Sequence, residues 1–193
     1  MVRLLAARPA GRAEPEQDLK IVHECPHGRQ FQTMFGLSNR SSTVLENYRD
    51  LIEDILSDLG IDPQENLEEA QEKQRYSWCI KRGSANIFVE LFTEGQESYF
   101  MVDCPILRLP APDRLESFYR RLLELNDKLV EAALVCRGQE IHLVGIRPLR
   151  GLDAEEASGM LDRISAWADS LDNSLSEEFG APLWEGPNSD SAG

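Results

Sequence analysis

Three places in the 193-residue chain carry side chains whose types and spacing could do chemistry. The first is His23-Glu24-Cys25-Pro26-His27. Imidazole and thiolate are proper zinc ligands, but a structural zinc site takes four, usually as spaced pairs. Here the fourth would have to come from Glu24 or from distant His142, so we expect no metal. Zinc that stabilised the protein, or that survived dialysis, would contradict this. The second place is His142, which alternates in an apolar run with Val144 and Ile146. Nucleophilic catalysis needs a cysteine or serine beside a positioned base, and no such pairing is visible, so His142 is expected to be a strand histidine satisfied within the fold. The third is Asp153, Glu155 and Glu156 in the run PLRGLDAEE, Pro148 to Glu156. These carboxylates could do acid–base work, but capping a helix and complementing its N-terminal dipole explains them more simply. No glycine-rich phosphate loop or dinucleotide fingerprint appears. The basic spots Arg120-Arg121, Arg147 and Arg150 read as solvated or paired. The expectation is a chain with no catalytic residues, no cofactor and no metal, and not an enzyme.

Composition points the same way. There are 20 basic and 34 acidic residues, a formal net charge of −14. Such a surface repels phosphate backbones, which argues against nucleic acid and favours a basic partner or plain solubility. Hydrophobic residues make up 41% of the chain, enough for one core. The longest apolar runs, such as Ile87 to Phe92, fall far short of the roughly 20 residues a membrane span needs. Leu4-Leu5-Ala6-Ala7 is too short for a signal-peptide core of about 7–15 apolar residues. Cys25, Cys79, Cys104 and Cys136 are widely spaced, three of them in strand-like runs, and read as buried thiols. The chain reads as cytoplasmic.

Elements that would position these residues begin near residue 40. Residues 1–40 lack a sustained apolar period and carry Pro9, Gly11 and Pro15, so a disordered or loosely ordered extension is expected. Residues 1–33 carry five basic and four acidic groups, against −15 for the remainder. Met34, beside that composition shift, is an alternative start of translation, which an intact mass of the native protein would decide. Thr43 and Glu46 form a capping box ahead of an amphipathic helix from Val44 to Leu59, with Gly60 as its stop. Residues 63–74 read as a linker or weak helix. Three alternating strands follow, around 76–81, 87–92 and 99–107, with Pro105 marking an edge or bulge. Pro110 and Pro112 open a helix whose apolar face is Leu115, Phe118, Tyr119, Leu122 and Leu123 and which stops near Asn126. A hairpin turning at Gly138 precedes a last helix from Asp153 to about Phe179. Residues 181–193 read as a flexible tail.

The order is α-β-β-β-α-β-β-α: an α+β domain over 41–180, a single antiparallel five-stranded sheet with helices packed on one face. The words YSWCI, LPAPDRLESFYRRLLELND and PLRGLDAEE, in this element order, resemble the YbjN family, which shares the fold of type III secretion chaperones. The resemblance covers Thr43 to Gly180. It implies a small acidic domain, a homodimer, that binds other proteins; the N-terminal extension departs from the family pattern.

Alternation assigns the faces. Tyr76, Trp78 and Ile80, with Ile87, Val89, Leu91, Phe100, Val102 and Cys104, should meet the helices. The opposite face would then carry Ser77, Cys79, Lys81, Phe88, Glu90, Phe92, Tyr99, Met101 and Asp103. Phe88, Phe92, Tyr99 and Met101 are more apolar surface than a solvated sheet face should show, and exposed patches of that kind mark interfaces. Two readings stay open: an exposed partner-binding or dimer face, or residues turned inward by a bulge or covered by the segment before Thr43. The functional expectation is a chaperone-like or adaptor domain acting by stoichiometric binding to a protein partner. The alternative is a sensor domain holding a small molecule between sheet and helices.

Overall fold

The computed structural model describes residues 40–68, 75–83 and 85–186. The expected extension and the His23–His27 cluster lie outside the described residues, as does Met34. Helix α1 spans Arg40–Asp58. It starts before Thr43, so the box at Thr43 and Glu46 falls inside the helix and does not open it. Gly60, with φ +76, ends it in the left-handed region that only glycine enters at no steric cost. A two-residue strand β1, Leu67–Glu68, then pairs with the edge of β2, Arg75–Arg82, in a segment expected to be linker. β3 (Ala85–Glu94) and β4 (Glu97–Arg108) complete the meander.

A short 3-10 turn, Pro112–Arg114, precedes α2, Leu115–Asn126. The prolines thus shape the approach to the helix, one turn before its first α residue. Strands β5 (Ala133–Arg137) and β6 (Glu140–Pro148) form the hairpin, and α3 spans Ala154–Phe179. At its start the Glu156 N–H donates to Asp153 Oδ1 at 2.8 Å, and the Asp153 N–H to Glu156 Oε2 at 3.3 Å. PLRGLDAEE is a capping device, as its residue types predict.

All strands pair antiparallel in one sheet, as expected, with β1 added to the five long strands at one edge; their order across the sheet is β1-β2-β3-β4-β6-β5. One continuous core lies between the sheet and the helices, and Trp78, Phe100 and Phe118 are fully buried in it. Burial of each such ring stabilises the fold by roughly 1.5–3 kcal/mol. The face predicted to meet the helices does so: Trp78, Ile80, Ile87, Val89, Leu91, Phe100, Val102 and Cys104 all belong to this core. On α2, however, only Phe118 and Leu122 are buried, whereas Tyr119 and Leu123 face solvent. Cys104 is buried as expected, but Cys79 is half-buried and Cys136 exposed. The Asn126 side chain joins α2 to β5 by accepting from the Leu134 N–H at 2.7 Å and donating to its carbonyl at 3.2 Å.

The segment after α3 is docked where a flexible tail was expected, as far as residue 186. β3 pairs with β4 only up to Asp103, and β4 continues past it through a bulge between Pro105 and Leu107. There the Arg108 N–H donates to Pro182 O at 2.8 Å and the Trp184 N–H to Ile106 O at 3.0 Å. Residues 182–184 take the place that β3 leaves, through an isolated bridge of Leu183 with Leu107. Ala181 is buried, and the Trp184 indole N–H donates to Glu140 Oε1 at 3.0 Å.

Candidate protein-binding face

The second face of the sheet holds the four residues singled out by sequence. Antiparallel register sets Phe92 opposite Tyr99, and Met101 between Glu90 and Ile146. Directly opposed residues share a face, so a second apolar cluster forms from Phe92, Met101 and Val144, with Tyr99 and Val135 packed against it. The Phe92 and Tyr99 rings stack with centroids 5.6 Å apart. Phe88 sits further along β3 with Trp184 edge-on at 6.4 Å.

Exposure is where expectation and structure part. Phe88, Phe92 and Met101 retain 3%, 7% and 1% of their accessible surface, and Tyr99 is half-buried. The face is apolar but covered, not open. The bulge that could have turned these residues toward the helices lies elsewhere in β4, so burial here does not come from a shift of register. Instead the cross-strand neighbours shield one another, Trp184 lies against Phe88, and the Arg75 guanidinium sits over the Phe92 ring at 5.9 Å.

Charged groups are buried beside the apolar cluster. Arg75 pairs with Glu90, whose side chain is almost fully buried. Asp103 receives the Arg137 guanidinium on one oxygen and lies 2.8 Å from His142 Nδ1 through the other. Burial alone would raise the Asp103 pKa. The hydrogen bond and charge of His142, with the Arg137 charge and hydrogen bond, outweigh it and hold the carboxyl below its usual range. His142 Nε2 is buried and makes no hydrogen bond, with Glu140 Oε2 at 3.6 Å. His142 is thus a strand histidine held through its Nδ1.

A carboxylate orienting an imidazole is half of an acid–base arrangement. Its other half would be a nucleophile, and the nearby thiols do not supply one. Cys104 points to the opposite face, and burial, reinforced by the Asp103, Asp172 and Asp169 charges, pushes its pKa up to about 12. The Cys136 thiol is directed at Gly138 O at 3.6 Å. What the Asp103, His142 and Arg137 group does by geometry is tie β4, β6 and β5 together from the second face. Sequence reasoning missed it because the three residues meet only through the register of β4 on β6, which no local pattern encodes.

Among the described residues no group of three or more His, Cys, Asp or Glu is placed to hold a metal ion. Nor is any helix among them long and apolar enough to cross a membrane. Surface basic groups are largely paired, as with Arg147 and Glu156 at 2.8 Å and Arg121 and Glu178 at 3.2 Å. The space between sheet and helices is filled by Trp78, Phe100, Leu56 and Leu161, all fully buried. Two surface depressions lie away from it, one along α2 around Leu123, the other where β6 meets the start of α3.

No family model and no curated protein matches the chain. Among solved structures it is similar to the HopA1–SchA chaperone–effector complex, with 14% identity and a TM-score of 0.48 over 70% of this chain and 98% of that one. It is also similar to the ExsC–ExsE complex, with 12% identity and a TM-score of 0.46 over 72% and 97%. YbjN from E. coli gives 10% identity and a TM-score of 0.42 over 70% and 95%. These are likenesses of fold.

Proposed function

We propose that the domain is a non-catalytic protein-binding module, chaperone-like or adaptor in character. It would act by stoichiometric association, with the sheet face of Phe88, Phe92, Tyr99 and Met101 taking part. The supporting observation is the second apolar cluster itself. A sheet with helices on one face needs only that face to be apolar, and its other face is ordinarily polar and solvated. Here the first core is complete without Phe92, Met101 and Val144, which pack separately on the outer face. Aromatics and methionine flanked by arginine are also the residue types that protein interfaces favour. Because the cluster is covered within the chain, a partner would engage it from the rim, where Tyr99 is half-buried and Ile146 is 52% exposed.

The acidic surface favours a partner with basic character and disfavours nucleic acid. Association between two copies is a second form of the same reading, supported by Leu123 and Val130, which are 70% and 65% exposed. The module would work in the cytoplasm. A rim substitution, Tyr99→Ser, tests the reading without emptying a buried site. The variant should keep its melting temperature within a few degrees and lose a protein that wild type retains at a fixed ratio from an extract of its source cells. Retention of that protein by the variant, or copurification of a small ligand with a monomer instead, would contradict it.

A further inference from the structure

The groove between β6 and the start of α3 is built like a missing strand. The ladder of β5 on β6 ends at Ala133–Val144, while β6 continues to Pro148 against β4 alone. Two residues further, the same register would set Glu131 opposite Ile146. Glu131 instead has φ +57, the only left-handed non-glycine residue among those described, and it leaves the ladder with its carbonyl lying over the α3 side of Gly145. It is held there by an ion pair with Arg163.

In an antiparallel ladder the backbone groups of alternate residues point to opposite sides. The Leu149 N–H donates to Ser98 O on β4, at 2.8 Å, so Gly145 and Arg147 face β4 and Ile146 faces outward. The Ile146 N–H and C=O make no hydrogen bond within the chain among the described residues. Around them lies a cavity of about 770 Å³, lined by Ala133 and Ile146 on the sheet and by Glu155, Met160 and Arg163 on α3. Its apolar side continues directly into the second cluster, because Ile146 stands opposite Met101. The same sheet already accepts extended chain elsewhere, where residues 182–184 make an isolated bridge and two backbone hydrogen bonds with β4.

We infer that this groove is a strand-docking site, in which an extended segment of a partner protein continues β5 along the outer edge of β6 and pairs with Ile146. The partner's backbone would accept from the Ile146 N–H and donate to its carbonyl, while an apolar side chain packs on Ile146 beside Met101. The alternate residues point toward α3, where Glu155 is exposed and Arg163 is taken by Glu131. Charge complementarity there, and with a chain of −14, selects a segment that alternates apolar and basic residues. This rests on the protein-binding reading and locates where one class of partner enters.

The test uses the full chain and a capped peptide of alternating valine and lysine, about six residues long. Binding should be saturable, with hydrogen exchange of the Ile146 amide slowed and other edge amides unchanged. A peptide N-methylated on its alternate residues should bind about ten-fold or more weakly, a loss of roughly 1.4 kcal/mol. Ile146→Pro removes the N–H from an edge position where proline is tolerated, and should abolish binding. If that variant does not fold, the N-methylated peptide still decides. Equal binding of the N-methylated peptide, protection at another edge, or equally tight binding of a valine–glutamate peptide would each overturn the inference. So would an Ile146 amide protected only in a concentration-dependent dimer, which would make a second copy the occupant. Peptide binding is read separately from the Tyr99→Ser capture experiment, so one can fail while the other stands.

Discussion

At the scale of single residues, the most consequential group is Asp103 between Arg137 and His142. Removing one member of a buried ion pair leaves the others uncompensated, at a cost of several kcal/mol. Arg137 is 28% exposed at its side chain, so water recovers part of that loss. Asp103→Ala should therefore destabilise the domain by about 2–3 kcal/mol, measured by urea denaturation. The folded Asp103 has a lowered pKa, so its contribution is complete above the ordinary carboxylate value, near 4. It is lost as pH falls further, through the folded value. Wild type should lose stability in that acid window, and Asp103→Ala should lose less. Thiol chemistry gives a second reading at this scale. Cys104, buried and with its pKa at about 12, should resist iodoacetamide until the protein unfolds, while exposed Cys136 is alkylated in the native state. Peptide mass mapping distinguishes the two.

At the scale of elements, the caps and the docked tail carry the testable energetics. Asp153→Ala removes a complete capping box from α3 and should cost about 1 kcal/mol. A chain ending at Gly180 uncovers Ala181's site and the outer edge of β4 at Ile106 to Arg108, and should melt several degrees lower than wild type. Gly145→Ala is a sharper test of packing. Its Cβ would stand 3.0 Å from the Glu131 carbonyl, which is backbone and cannot swing away, and 2.9 Å from the flexible end of Met160. Much of this level was legible in sequence. Period-two alternation in Tyr76 to Ile80 identified the core face, and Asp153 with Glu156 identified the start of α3. The failures share a cause, because they depend on distant partners. Leu67–Glu68 is strand only because β2 offers an edge. Tyr119 and Leu123 fit an apolar helical face, yet only Phe118 and Leu122 of that face are buried, and Phe118 packs on Phe179 of α3. Residues 181–186 look like a tail until the end of β3 leaves β4 without a neighbour.

At the scale of the whole molecule, one sheet carries two unequal apolar faces, and the smaller packs apart from the core that the helices cover. Sequence alternation put Phe88, Phe92, Tyr99 and Met101 on that face but could not show how far they are covered. Coverage depends on Trp184, on Arg75 and on neighbours across strands, none of them local in sequence. The proposed function turns on whether this face works beyond the chain. The most direct measurement compares wild type with Tyr99→Ser for capture of a native protein partner, each variant first matched for melting temperature. Wild type should hold a partner at a fixed ratio, and Tyr99→Ser should release it. A partner held equally by both, or none at a fixed ratio to wild type, would contradict it.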